Sequence, residues 1–164
     1  MAQDMKPLDA IDRKLLGLLS ENAEQSYADL GAQVGLSAPA VHERVKRYKA
    51  SGRIKAVAAQ LDPEATGKPL LAFVHINATG WGKSPELLAL AELPEVEEIH
   101  SVTGDACLVF KVRTASAVAL EALLAKVYAV PNVTATKSYV VLSTYVERPV
   151  RIGVTEELNQ PYNG

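Results

Sequence analysis

Six basic side chains fall within fourteen residues: Arg44, Lys46, Arg47, Lys49, Arg53 and Lys55, with Glu43 the single acid among residues 42–55. A guanidinium pairs bidentately with the edge of guanine, and an ammonium acts as a point charge toward phosphate. The chemistry that suits this cluster is contact with DNA. Its charge is local. The 164-residue chain has a formal net charge of −2, which argues against a general polyanion binder. Residues 1–60, however, hold nine Lys/Arg against seven Asp/Glu, whereas residues 61–164 hold eight against twelve. A basic stripe on one element of an otherwise acidic chain is the footprint of localised phosphate contact. The plainer alternative is a solvated face on an ordinary helical hairpin.

Residues for enzymatic chemistry are sparse. His75 and His100 lie in strand-like segments with no Ser-His-Asp, Cys-His or metal-ligand spacing around them. Cys107 is the single cysteine, so no internal disulfide is possible, and in an apolar strand pattern it reads as a small buried hydrophobe. No cofactor is implied. No apolar run approaches the roughly 18 residues of a membrane span, and Met1 to Pro7 has no secretory pattern, so a cytoplasmic protein without membrane contact is expected.

Two short helices must position the basic cluster. Ser26 caps the first, with Asp29 placed to return a hydrogen bond, and Tyr27, Leu30 and Val34 fall at helical spacing. Gly35 stops it in a left-handed C-cap. Ser37 caps the second, Pro39 sits harmlessly in its first turn, and Val41, Val45 and Tyr48 form its buried stripe before Gly52 ends it. A turn of about four residues makes this a helix-turn-helix, whose second helix lies in the DNA major groove. The face opposite the buried stripe carries Pro39, Glu43, Lys46, Arg47 and Ala50, flanked by Ala40 and Arg44. Lys46, Lys49, Arg53 and Lys55 are placed for phosphates. The expected DNA-binding set is Ser37, Pro39, Ala40, Glu43, Arg44, Lys46, Arg47, Lys49 and Arg53. An earlier helix, capped by Asp9 with Asp12 at its third position, supplies Ile11, Leu15, Leu18 and Leu19 to the same core. Arg53 to Leu61 reads as extended, a wing strand, a linker or both, and Asp62-Pro63 with Thr66-Gly67-Lys68-Pro69 marks a boundary.

The second half alternates differently. Strands are expected over 69–77, 96–102, 106–113 and 133–145, and helices over 85–93 and 115–129, in the order βαββαβ. Leu87, Leu88, Leu90 and Ala91 should face inward from the first of these helices, and Leu120, Leu123, Leu124, Val127 and Tyr128 from the second. Leu93-Pro94-Glu95-Val96 returns as Val130-Pro131-Asn132-Val133 thirty-seven residues later, which supports two βαβ halves. The fold class is α+β: an N-terminal helix-turn-helix, winged if Arg53–Leu61 forms a strand, and a C-terminal ferredoxin-like domain. The expected division is 1–54 for DNA binding, 55–67 as linker or hinge strand, 68–146 for the dimerisation domain, to which the resemblance described next adds effector binding, and 147–164 as a tail. Leu70, Leu71, Phe73 and Val74 make the first strand apolar on both faces, as Leu108, Val109 and Phe110 do the third. With helices on one face only, a homodimer is expected.

These residues carry a resemblance. Leu8-Asp9 through Leu19, Leu36-Ser37-Ala38-Pro39-Ala40-Val41, Arg44-Val45-Lys46-Arg47, Gly52-Arg53-Ile54, Val102-Thr103-Gly104-Asp105 and Val140-Val141-Leu142-Ser143-Thr144, in this order, resemble the Lrp/AsnC (feast/famine) transcriptional regulators over nearly the whole chain. The resemblance implies a sequence-specific regulator that binds double-stranded DNA, assembles as dimers and further into octamers, and senses an amino acid between dimers. It points to Thr103, Gly104, Asp105 and Ala106, with Thr136 and Ser138, as the effector-binding set. Many amino-acid-responsive members continue the Thr-Gly-Asp turn with a Tyr-Asp-Tyr-like stretch, where this chain has Ala106, Cys107 and Leu108. Asp105 is then the nearest carboxylate for an α-amino group, whose unpaired burial is costly. Two rivals share the fold: an architectural nucleoid protein without an effector, and an enzyme similar to the sirohaem decarboxylases. The latter needs basic residues converging on tetrapyrrole carboxylates, in a domain that is net acidic.

Overall fold

The computed structural model describes residues 7–80, 84–155 and 158. The expectation for the first six residues and the distal part of the expected tail lie outside these. The chain divides into two units, one formed by residues up to Ala59 with those from Val146 onward, the other by Gln60–Tyr145.

Three helices build the first unit: α1 (Ala10–Glu21), α2 (Tyr27–Val34) and α3 (Ala38–Ala50). Asp9 closes a reciprocal capping box with Asp12 at the start of α1, and Ser26 and Ser37 cap α2 and α3 as their side chains predict. Leu15, Leu30, Val41, Val45 and Tyr48 are buried together, with Leu18, Leu19, Tyr27, Val34 and Ile54 packed around them. Burying one such aliphatic side chain stabilises by about 1.5–3 kcal/mol. The buried side of α1 differs from expectation at its first turn: Asp12 is buried there and Ile11 is not. The segment after Val146 belongs to this unit, and Ile152 lies where a Cβ at Gly17 would meet it at 3.3 Å. Residues 55–61 pair with no strand among the described residues.

In the second unit, β1 (Leu70–Ala78), α4 (Pro85–Leu88), β2 (Val96–Ser101), β3 (Leu108–Thr114), α5 (Ala117–Tyr128) and β4 (Val133–Val140) follow the βαββαβ order. The sheet runs β2-β3-β1-β4 with every neighbouring pair antiparallel. Ala72, Val74, Ile76, Leu108, Phe110 and Val112 face the helices and pack on Leu87, Leu120, Leu123 and Val127. The repeated Pro-containing segments make the same turn: the N–H of Val96 donates to the carbonyl of Leu93, and that of Val133 to Val130.

Several bounds differ. The helix expected over 85–93 is a single α-turn continued as a 3-10 turn over Ala89–Glu92, and Leu88 is exposed. Tyr128 also points outward. The last strand stops at Val140, although the N–H of Val141 still donates to the carbonyl of Leu71. The second sheet face is less apolar than the sequence suggests. Register places Leu71, Phe73, His75, Val109, Lys111, Arg113, Lys137 and Tyr139 on it. Its β2–β3 half is charged, with Lys111 Nζ 3.2 Å from Glu97 and 3.4 Å from Glu98, and Arg113 Nε 2.8 Å from Glu97. A register shift between Val96 and Glu98 makes Glu97 an extra residue in β2. Its β1–β4 half remains aromatic, with Phe73 37% and Tyr139 45% exposed.

Candidate nucleic-acid interface and effector turn

The turn between α2 and α3 depends on two glycines. Gly35 adopts φ +72°, a left-handed conformation that costs glycine nothing. Gly31 is buried inside α2, and a Cβ there would collide with the carbonyl oxygen of Leu36, to which the chain folds back as the Leu36 N–H donates to Gly31 O at 2.9 Å. The second helix is thereby fixed against the first. A glycine within a helix costs roughly 1 kcal/mol relative to alanine, so its presence in α2 is the sequence signal for this close approach.

On and beside α3, Ser37, Pro39, His42, Glu43, Lys46, Arg47, Lys49 and Ala50 are exposed, while Ala40, Arg44 and Arg53 are half-buried. Lys46 and Lys49 have no ion-pair partner among the described residues. The arginines are placed differently. Arg44 Nη1 donates to Asp12 Oδ1 at 2.5 Å and to Asp9 Oδ2 at 3.0 Å, which leaves its side chain 23% exposed. Arg47 Nη2 donates to the same Asp12 oxygen at 3.1 Å, and the Tyr48 hydroxyl donates to it at 2.5 Å.

One carboxylate of α1 therefore gathers three donors from α3. Burial works to raise the Asp12 carboxyl, but hydrogen bonds from Tyr48, the Asp9 N–H and Arg44 outweigh it and hold it below the ordinary carboxylate range. Burial and the same carboxylate push the Tyr48 hydroxyl up to about 12. Hydrogen bonding to Asp9, and then to Asp12, raises the Arg44 guanidinium further still. From sequence, Asp12 carries only the signal of a capping residue. An acid at the third helical position explains itself locally, and nothing in its spacing reveals partners more than thirty residues away.

In the second unit, Thr103, Gly104 and Asp105 form an exposed turn between β2 and β3, with Gly104 at φ +113° and Ala106 half-buried. The Cys107 N–H donates to Ile76 O at 3.0 Å, which ties this turn to the end of β1. Asp105 lies near enough to Lys137 to help hold its ammonium up, after the larger effects of the Tyr139 hydroxyl. Thr136 and Ser138 pair with Ile76 and Val74, on the helix-covered side, and the Thr136 N–H donates to the Tyr128 hydroxyl at 3.2 Å. One chain thus groups Asp105 with Lys137 on the open side and Thr136 with Ser138 on the other. The His75 and Tyr139 rings meet tilted at 58°, with centroids 4.9 Å apart, and His100 Nε2 is 2.6 Å from Glu98.

Known proteins agree with this organisation. Residues 8–49 match the model of the AsnC-type helix-turn-helix domain, and residues 72–151 that of the Lrp/AsnC ligand binding domain. The HTH-type transcriptional regulator FL11 of Pyrococcus horikoshii is 34% identical over 86% of this chain and 93% of its own. The leucine-responsive regulatory protein of Escherichia coli is 34% identical over 84% of this chain and 86% of its own. Among solved structures, the feast or famine regulatory protein of M. tuberculosis complexed with L-methionine superposes with a TM-score of 0.82 at 36% identity, covering 90% of this chain and all of that one. E. coli AsnC gives 0.80 at 30% identity, over 88% and 99% of the two chains. With both domains matched in order, the chain belongs to the Lrp/AsnC family of DNA-binding transcriptional regulators and is not an enzyme.

Proposed function

We propose that this regulator reads DNA through the exposed face of α3 and that an amino acid bound between protomers modulates it. Lys46 and Lys49 contact phosphate, and Arg47 reaches a base edge. Ser37, Pro39 and Ala40 let the start of the helix approach the groove closely. Glu43 and Arg53 border this face, and Arg44 braces the helix from behind. The observation that carries the reading is a pair of exposed lysines, Lys46 and Lys49, with no ion-pair partner among the described residues, on a helix that contacts at Gly31 and Asp12 hold against its neighbours. A homodimer presents two such helices, so its operator has two half-sites about one helical turn, or a multiple of it, apart.

The effector part rests on relatives whose names specify leucine or methionine. Thr103, Gly104, Asp105 and Ala106 of one protomer supply the pocket floor, with Asp105 meeting the α-amino group. Thr136 and Ser138, turned to the other side of the sheet, contribute from a neighbouring copy. Higher assembly, up to the octamer, follows from sharing the pocket in this way. DNA is the working partner, in the cytoplasm.

Two steps test this reading. Selection from a randomised duplex pool should recover a two-fold site, and failure to enrich any sequence refutes sequence-specific reading in favour of the architectural alternative. Thermal-shift screening of the twenty amino acids should then reveal a stabilising ligand, since one at about 100 times its Kd adds roughly 2.7 kcal/mol. Asp105→Asn, which keeps the turn chemistry, should abolish that shift and leave DNA binding intact. Equal shifts in mutant and wild type would reduce Asp105 to a turn residue.

A further inference from the structure

We infer that Asp12, on α1 and outside the recognition helix, is a positioning residue for sequence reading because its carboxylate holds one edge of Arg47 and presents the other to DNA. This rests on the reading of α3 as the DNA-facing helix. The geometry is specific. Asp12 is buried, its side chain 5% exposed, whereas the Arg47 side chain it grips is 54% exposed. Only Arg47 Nη2 is engaged, at 3.1 Å from Asp12 Oδ1, and the other N–H groups of Arg47 have no hydrogen-bond partner among the described residues. The guanidinium also lies over the Tyr48 ring, its Cζ 5.8 Å from the centroid, and Tyr48 is itself bound to Asp12.

A guanidinium is planar with its donors in a fixed fork, so pinning one nitrogen to Asp12, with the cation held within reach of the Tyr48 ring, restricts where the remaining donors point. Arg44, bound to the same oxygen and to Asp9, is the strut that keeps Asp12 in place. An arginine ordered before binding loses less conformational freedom on contact, and its donors meet a base edge in one orientation. Contacts to phosphate place a protein on DNA without conveying sequence, so losing this alignment should affect discrimination and spare general affinity.

The test uses the full chain, the duplex recovered by selection, and a scrambled duplex of the same composition. Asp12→Asn keeps the shape and an acceptor for Tyr48 but removes the charge. The preference for selected over scrambled duplex should fall at least about fivefold, the size of one lost base contact. Affinity for the scrambled duplex and its salt dependence should stay at the wild-type level. In an Arg47→Ala background, Asp12→Asn should cause no further loss of preference. Tyr48→Phe, which removes a hydrogen bond to the same oxygen but leaves the ion pair, should retain the preference at comparable loss of stability. Weakening of both duplexes alike by Asp12→Asn, or an equal loss in the Arg47→Ala background, overturns the proposal. Should Asp12→Asn not fold, Arg47→Lys carries the test at an exposed position. A lysine lacks the fork, so the same loss of preference is expected, and an unchanged preference refutes the proposal. A wild-type chain that binds every duplex equally defeats the DNA-reading assignment itself, a failure distinct from these.

Discussion

Asp12 shows how one side chain couples a cap, a core and a charged surface. It completes the capping box of α1 and accepts the Tyr48 hydroxyl inside the helical core. Asp12→Ala removes half of that box and leaves a buried hydroxyl unpartnered. A cost of about 1–3 kcal/mol is expected for the latter alone, readable as a lowered denaturation midpoint. A loss within a few tenths would mean that water replaces the carboxylate. The pH dependence has two limbs. The Asp12 carboxyl is held below its unfolded value, so its contribution is complete above about pH 4 and fades as pH falls through the lower folded value. The Tyr48 hydroxyl is raised to about 12, so its contribution is complete below about pH 10 and is lost as pH rises through 12. Thermal unfolding of Tyr48→Phe should lack the alkaline limb, and an alkaline limb that survives the substitution would assign it to another group.

At the scale of the element, the helix-turn-helix was legible almost entirely, because caps, apolar spacing and left-handed glycines are local chemistry. Ser26, Ser37, Gly35 and the Val41–Val45–Tyr48 stripe all occupy the places their residue types suggest. What local patterning did not disclose is contact across elements. Gly31 sits under the Leu36 carbonyl, and Arg44 faces inward onto α1 although its helical angle places it beside the solvent face. Gly31→Ala should therefore disrupt the inter-helix turn, destabilising the first unit by more than the roughly 1 kcal/mol that alanine gains in helix propensity. A stabilised variant would show that the turn yields at no cost. The short α4 escaped for a related reason. Leu87 alone is buried there, and apolar density in the sequence does not distinguish one helical turn from two. The effector turn was legible as a turn, but the side of the sheet taken by Thr136 and Ser138 follows from a register that residue spacing does not fix.

For the whole molecule, the two-domain order and the βαββαβ succession were readable from composition and from the repeated Leu-Pro and Val-Pro segments. The polarity of the open sheet face was not, because the ion pairs of Glu97 and Glu98 with Lys111 and Arg113 depend on a bulge. The aromatic half of that face, centred on Phe73 and Tyr139, is where self-association is expected. The full chain should sediment as a dimer or larger, and Phe73→Asp should shift it toward monomer. A wild-type monomer at micromolar concentration would contradict this. The most direct measurement concerns DNA. Binding of the selected duplex, followed as log K against log salt concentration, should become less steep on replacing Lys49 by Ala, by about 0.9 for each phosphate contact removed. Selected and scrambled duplexes should weaken alike. An unchanged slope for the Lys46→Ala/Lys49→Ala double variant, with wild-type affinity across the titration, would place the DNA somewhere other than on α3.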